Sequence, residues 1–206
     1  MMPQSSRGRS RTLLIGLAAV AVISGGTAAW FVAQGPDTPS VIQPGDNGPA
    51  IAREKVQVYW LISDDTEDGT ELVLAPTTIE LSLTGTTPDV ILQGAVERLL
   101  QGPANQDVST TIPENTRLNR FELKEDGIHV DLSQEFTLGG GSTSMQGRLG
   151  QVIYTATALD PNAPVWISVA GEPLRVLGGE GLEVSQPITR QEFQEDFALG
   201  QLVSKK

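Results

Sequence analysis

The chain has 206 residues, no cysteine and one histidine, and its 25 acidic and 14 basic side chains give a net charge of −11. Without cysteine there can be no disulfide, no thiolate catalysis and no cysteine metal site, and a single histidine leaves little material for zinc or triad chemistry. The negative charge disfavours nucleic acid, because its binding depends on lysine and arginine neutralising phosphates. The composition predicts no cofactor, no metal and no nucleic-acid partner.

The N-terminal region predicts a membrane anchor. Residues 1–11 contain three arginines, and residues 12–33 carry no charge. About 20 apolar residues span a bilayer as a helix, and the positive-inside rule keeps the preceding arginines in the cytoplasm. We therefore predict a cytoplasmic N-terminus at 1–11 and a single-pass transmembrane signal anchor at 12–33. Everything after it is expected to be extracytoplasmic, on the periplasmic or cell-wall side.

A cleaved signal peptide is the alternative for the same segment. Secretory peptides have a shorter apolar core, of about 7 to 15 residues, followed by a small-x-small cleavage site. Phe31-Val32-Ala33 loosely fits such a site. The length of the uncharged run, with Trp30 at its outer end, favours a retained anchor. The absence of cysteine excludes a lipidated one.

The rest of the chain divides by composition. Residues 34–54 are rich in proline and glycine and form a predicted linker. Residues 55–190 contain the regular apolar patterns of one domain, and residues 191–206 form a tail. In that tail Phe193 and Phe197 lie one helical turn apart, a spacing that favours packing on the domain over docking to a partner.

Apolar periodicity predicts the first elements of the domain. Val56–Ile62 is a strand, and Glu71–Leu83 is a second strand broken at Pro76. A helix begins at Thr87-Pro88, with the threonine hydroxyl as its cap, and ends at Gly102-Pro103.

The same apolar patterns predict the remaining elements of the domain. They are the hairpin strands Arg117–Lys124 and Ile128–Leu132, a helix over Ser144–Leu159, and a final hairpin formed by Val165–Ala170 and Pro173–Leu177. The order is ββ-α-ββ-α-ββ. We predict an α+β fold with two helices packed on one mixed or antiparallel sheet.

Several segments of this domain carry recognisable motifs: Gly94–Pro103, Ile112–Leu118, Gly127–Phe136, Gly139–Ser142, Val169–Leu174 and Ser185–Arg190. These segments resemble those of the GerMN domains of sporulation and spore-germination proteins. Their order along the chain matches the family, and together they cover about residues 56–190. The resemblance implies a module similar to the ring-building units of envelope channels, with no enzymatic activity. It also singles out the motif positions Gly102, Pro103, Pro113, Asp131, Ser133, Phe136 and Gly171.

His129, Asp131 and Ser133 suggest a catalytic triad, but their spacing argues against one. Side chains two apart on a strand point in parallel, whereas a base must reach its nucleophile at about 3 Å. We interpret His129 and Asp131 as a polar outer face that Ser133 continues, with Ile128, Val130 and Leu132 facing the core. Asp131 or Ser133 is expected to hydrogen-bond the backbone of a neighbouring loop.

Two further motifs have weak chemical interpretations. Residues 64–69 begin like a calcium loop, but Ala75 stands where a bidentate glutamate is needed, so a solvated acidic turn is favoured. Gly139–Gly141 precedes a helix, where backbone amides can hold an anion or a glycan carboxylate. The lysine of a P-loop is missing, so a flexible connection is the simpler interpretation.

The sequence therefore predicts a membrane-anchored, non-catalytic binding or assembly module of the bacterial cell envelope. Its predicted partners are the lipid bilayer, through residues 12–33, and an envelope protein, peptidoglycan or further copies of the chain. The alternative is a peptidoglycan-associated hydrolase or accessory that uses carboxylates such as Glu135. Such chemistry requires two carboxyl groups about 5 to 10 Å apart across a cleft.

Overall fold

Residues 51–66, 69–178, 181–197 and 199 are described in a computed structural model of the chain. All of them belong to the unit Asp46–Lys206. The predicted anchor at 12–33 and nearly all of the predicted linker lie outside the described residues. Within those residues, no helix is long and apolar enough to cross a membrane.

The domain begins with a long antiparallel hairpin. Strand β1, Ala52–Thr66, pairs with β2, Gly69–Leu83, from Ala52 opposite Leu83 to Thr66 opposite Gly69. The predicted break at Pro76 is wrong, because β2 is continuous. Proline cannot donate to a ladder and is tolerated where its nitrogen faces away from the neighbouring strand.

Pro76 meets this condition because of its partner. It lies opposite Tyr59, whose N–H donates to the Thr155 hydroxyl at 3.0 Å and whose carbonyl accepts from the Gln151 amide at 3.2 Å. In an antiparallel pair, such a residue directs both backbone groups away from the other strand. Pro76 therefore occupies a position where β1 offers no hydrogen bond, and the strand continues through it.

The remaining elements follow in the predicted order, with additions at the C-terminal end. They are α1 Pro88–Leu100, β3 Leu118–Lys124, β4 Gly127–Leu132, a 3₁₀ turn Gln134–Thr137, α2 Ser142–Ala156, β5 Val165–Val169, β6 Glu172–Pro173, β7 Val176–Leu177, β8 Leu182–Glu183 and α3 Arg190–Asp196. The α+β class is confirmed. A third helix and two short extra strands were not predicted.

The strands form three separate sheets in the described part of the chain, and not the one sheet that was predicted. β1 and β2 form one, β3-β4-β5-β6 form a four-stranded mixed sheet, and β7-β8 form a third. In the mixed sheet β4 and β5 are parallel, and the other pairs are antiparallel. The predicted strand Pro173–Leu177 is divided, because the chain leaves β5 after two residues and pairs with β8 instead.

Helix boundaries differ from the predictions at their ends. The Thr87 hydroxyl makes no capping hydrogen bond to α1. It hydrogen-bonds the Asp89 carboxylate and thereby lowers the pKa of Asp89. The end of α1 is as predicted, because Gly102 has φ +81° and its N–H donates to the Leu99 carbonyl. The apolar face of α2 ends at Ala156, whereas Leu159, predicted to extend it, is 47% exposed.

One hydrophobic core joins the hairpin, both long helices and the mixed sheet; it includes Val58, Leu99, Val130, Leu149 and Ile167. The tail adds to it. Phe193 and Phe197 are buried, with ring centroids 5.2 Å apart, and Phe193 meets the edge of Tyr154 at 6.0 Å. The predicted packing of these two rings on the domain is confirmed.

Gly150 tests how tightly α3 packs on α2. A Cβ added there would lie 2.7 Å from the Phe193 ring and 2.9 Å from a Leu74 methyl. In an open helix position, alanine would stabilise relative to glycine. We expect Gly150→Ala to destabilise the domain by about 1–3 kcal/mol, because overpacking outweighs that gain. Urea unfolding of Gly150→Ala against Thr143→Ala, an exposed substitution on the same helix, measures it; equal midpoints would contradict the tight packing.

Candidate functional site

The outward face of the mixed sheet carries the candidate polar residues. Along β4, Ile128, Val130 and Leu132 are buried, and His129 and Asp131 are half-buried on the opposite face. This alternation was predicted from the sequence and is confirmed. Side chains of the neighbouring strands β3 and β5 extend this face into two rows of cross-strand partners. The first row is Glu122–His129–Trp166, and the second row is Arg120–Asp131–Ser168.

The first row is held by ion pairs and stacking. Lys124 lies 2.9 Å and Arg120 lies 4.0 Å from the Glu122 carboxylate, and the Lys124 hydrogen bond is the main cause of a lowered pKa at Glu122. His129 stacks on Trp166, with ring centroids 5.7 Å apart and planes 13° apart. The His129 Nε2 atom lies 2.9 Å from Asp126 Oδ1, and this hydrogen bond lowers the pKa of Asp126.

Asp131 anchors the turn that follows β5. Its Oδ1 accepts from the Ser168 hydroxyl at 2.7 Å and from the Gly171 N–H at 2.8 Å. Partial burial raises the pKa of Asp131, but these hydrogen bonds outweigh it and the net pKa is lowered. The predicted hydrogen bond from Asp131 to a loop backbone is confirmed. Gly171 has φ +84°, a backbone conformation that favours glycine.

Ser133 does not share the outward face. It is buried at 6% exposure, and its hydroxyl accepts from the Arg117 N–H at 2.9 Å. The prediction that it continues the face of Asp131 is wrong, because β4 ends at Leu132 and the chain turns inward there. His129 bonds Asp126 and not Ser133, so these residues form no triad.

Glu135, the candidate for hydrolysis, lies beside a cation. Hydrogen bonding from the Ser133 side chain is the main cause of a lowered pKa at Glu135, and the Arg117 guanidinium, 3.8 Å from the carboxylate, adds to it. Asp131 also has a lowered pKa. A glycosidase needs one carboxyl group with a raised pKa to protonate the leaving group. Neither of these two carboxylates provides it.

The other motif positions make contacts within the domain. Gly102 ends α1, followed by Pro103, and its carbonyl accepts from Arg98 at 2.6 Å. The Pro113 carbonyl accepts from the Thr116 N–H and hydroxyl. Phe136 is fully buried.

Sequence reasoning missed the contribution of Arg148. This side chain is 2% exposed, and its guanidinium donates to the carbonyls of Phe136, Leu138 and Gly139 at 2.7, 2.9 and 3.0 Å. Burial lowers the pKa of Arg148. The signal in the sequence was an arginine within the apolar face of α2. The glycine loop before α2 is thus fixed from inside the domain.

The space beside that loop has an acidic rim. A cleft of about 560 Å³ is lined by Gly140, Gly141 and Ser142 together with Glu183 and Asp196. Two carboxylates and no cationic side chain are among its described lining residues, so the predicted anion site gains no support from its surroundings. Of the acidic segment 64–69, positions 67 and 68 are not described, and Thr66 pairs with Gly69 at the end of the β1-β2 ladder. No cluster of three metal-binding side chains occurs among the described residues.

These features define the class of the protein: a small α+β domain with a charged sheet face, on which His129, Asp131 and Ser133 are not assembled into a triad. The family model described as "Germane: Sporulation and spore germination" matches residues 57–175. The chain belongs to this family, since the match covers more than half of its length. The resemblance to GerMN domains is therefore confirmed.

Solved structures of similar proteins include two from Bacillus subtilis, both from the sporulation protein GerM. Its tandem GerMN domains share 20% identity at a TM-score of 0.49, over 68% of this chain and 45% of that one. Its first GerMN domain alone shares 21% identity at a TM-score of 0.49, over 67% and 98%. A "Putative Lipoprotein from Clostridium perfringens" shares 22% identity at a TM-score of 0.46, over 68% and 89%. No curated protein matches the chain.

The lowered pKa of Asp131 predicts a pH dependence of stability. A carboxyl group whose pKa is lower in the folded state stabilises the fold above its unfolded pKa, and this contribution is lost as the pH falls through the folded value. Asp131→Asn keeps an accepting oxygen but has no charge to lose. We expect this variant to be less stable than the wild type at pH 7 and to lose less stability between about pH 5 and pH 2.

Thermal unfolding across this pH range measures the effect. Glu114→Gln is the control, because Glu114 is an exposed carboxylate without a hydrogen bond in the described structure. Parallel pH curves for the wild type and Asp131→Asn would show that the charge of Asp131 contributes nothing.

Proposed function

We propose that this protein is a membrane-anchored, extracytoplasmic binding and assembly module of the bacterial cell envelope, without catalytic activity. Membership of a family described by sporulation and spore germination supports an envelope role. The observation that carries the binding function is the free outer edge of β2.

The hydrogen-bond pattern of the hairpin shows which backbone groups are free. Pro76 faces outward, and residues of the same parity on β2 share that direction. Thr78, Glu80 and Ser82 therefore direct their N–H and carbonyl groups away from β1. No other strand pairs with β2 in the described part of the chain.

This edge has the properties of a docking strand. The side chains of Thr78, Glu80 and Ser82 are exposed, and those of Ile79 and Leu81 are half-buried. An extended segment of a partner can add to such an edge through its main-chain hydrogen bonds, with the alternate side chains giving specificity. We call residues 77–83 the β2 edge. Its partner is a strand of another envelope protein or of a second copy of the chain.

The absence of catalysis is part of the proposal and rests on electrostatics. Asp131 and Glu135 both have lowered pKa values, so both remain anions near neutral pH. A pair of fixed anions suits structural hydrogen bonding and does not provide a general acid.

Proline placed at Thr78 tests the edge. Thr78→Pro removes one outward N–H, and the fold should tolerate it because Pro76 already occupies the same row. We expect a photo-crosslinking residue in place of Glu80 to capture a partner in intact cells. Thr78→Pro should reduce that capture about fivefold, because a strand hydrogen bond is lost and the proline ring blocks the partner strand.

Thr78→Ala is the matched control, because it changes the side chain and keeps the N–H. Capture should persist in this variant. Equal loss in both variants would assign recognition to the hydroxyl group, and unchanged capture in Thr78→Pro would contradict strand pairing.

The anchor has its own test. We expect the mature chain to keep residues 12–33 and to stay in the membrane fraction after a carbonate wash, because an apolar run of this length is retained in the bilayer. Intact mass of the purified protein measures it. A mass that corresponds to a chain starting after Ala28 or after Ala33 would refute the anchor and indicate a released domain.

A further inference from the structure

A second surface lies on the outer side of the mixed sheet, far along the chain from the β2 edge. A cleft of about 560 Å³ opens there, between β5 and the β7-β8 hairpin. Its apolar lining includes Trp166, Pro173 and Val176, and its polar lining includes Arg175 and Glu183. We call it the Trp166 cleft. A few polar groups around an apolar wall are typical of a ligand site.

Trp166 is held as a fixed wall. One face of its ring stacks on His129, and its Nε1 donates to the Asp126 carbonyl at 3.2 Å. Trp166 lines the Trp166 cleft, and His129 lines a different depression. Among the described residues, no cation lies over this ring, although Arg98 covers Trp60 and Arg190 covers two tyrosines.

The floor beneath the cleft is also rigid. Gln186 lines it and has both amide atoms engaged: Oε1 accepts from the Ile167 N–H at 2.9 Å and Nε2 donates to the Leu174 carbonyl at 2.9 Å. These bonds join the segment after β8 to β5. A ligand would therefore meet a surface that needs little reorganisation, which reduces the entropic cost of binding.

Arg175 distinguishes this cleft from an ordinary surface depression. It is exposed and makes no hydrogen bond or ion pair in the described part of the chain. By contrast, Arg53, Arg117 and Arg120 each lie within 4.0 Å of a carboxylate. In a chain of net charge −11, an unpaired guanidinium that lines the same cleft as a tryptophan attracts an anion to that cleft. Guanidinium groups bind carboxylates in a bidentate manner.

We infer that the Trp166 cleft binds a pyranose glycan that carries carboxylates, the chemistry of the bacterial cell-wall strand. The C–H groups on one face of a pyranose ring are apolar and can pack against the apolar surface of the indole. Its hydroxyl and acetamide groups donate to Glu183, and a carboxylate on the ring or on a short peptide branch pairs with Arg175. The inference rests on the extracytoplasmic location proposed above and names one partner of the module. A nucleic-acid polyanion is disfavoured by the overall charge.

Pelleting of the full-length protein, purified in detergent, with isolated peptidoglycan sacculi tests this inference. We expect Arg175→Gln to weaken binding about tenfold, the loss expected for one charge-assisted hydrogen bond. Val176→Asp is the second variant and should also weaken binding, because Val176 is 53% exposed opposite Glu183 and a second carboxylate there would offset the charge of Arg175 without altering the core. Lys55→Gln is the matched control, since Lys55 is also an exposed cation without a partner in the described structure.

The ligand is varied in the same assay. Amidation of the sacculus carboxylates should weaken binding of the wild type to the level that Arg175→Gln shows on intact sacculi. Uncharged chitin should bind the wild type weakly. Strands stripped of their peptides show whether the carboxylate lies on the sugar or on the peptide branch. Equal binding by wild type and Arg175→Gln, an equal loss in Lys55→Gln, or no binding to sacculi by the wild type would each overturn the inference. Crosslinking from the β2 edge in Arg175→Gln separates the outcomes: persistent capture with failed sacculus binding leaves the proposed function standing.

Discussion

Gln151 and Thr155 on α2 are fully buried and hydrogen-bond both backbone groups of Tyr59 in β1. The side-chain oxygen Oε1 of Gln151 also accepts from the Thr111 N–H and from the Thr110 hydroxyl, each at 3.1 Å. A buried backbone group without a partner costs free energy comparable to a lost hydrogen bond. The side chains of Gln151 and Thr155 therefore satisfy backbone groups of β1 and of the loop that contains Thr111. Because of these bonds, α2 packs against the open edge of β1 without leaving those buried groups unpaired.

This constraint also decides which edge of the hairpin is free. On β1, Tyr59 is satisfied by α2, and Leu61 exchanges hydrogen bonds with Ser109 at 2.9 and 2.7 Å. That edge is therefore partly closed by the domain itself. The outward groups of β2 face the other way, where no described strand follows. The proposed docking strand is a consequence of how α2 binds β1.

Arg190 secures the C-terminal end of α2. Its guanidinium donates to the carbonyls of Tyr154 and Thr157 at 2.8 and 3.0 Å and lies over the rings of Tyr154 and Tyr59. A cation at a helix C-terminus pairs favourably with the helix dipole and with the last free carbonyls. α3 begins at this residue, so the same contact places Phe193 against α2. The fold thereby extends past residue 190, where composition had placed the start of the tail.

The sequence by itself determined the alternation of β4, the two long helices, the hairpin that joins residue 124 to residue 128, and the family. Each depends on local periodicity or on a local backbone requirement, such as φ +130° at Gly127. It did not determine the continuity of β2 through Pro76, the burial of Ser133 and Arg148, or the Trp166 cleft. These depend on contacts between separate elements: Pro76 is tolerated because Tyr59 bonds α2, and the cleft is lined by residues of β5 and of the β7-β8 hairpin. A single sequence shows which side chains alternate, and the tertiary structure decides which of them lack a partner.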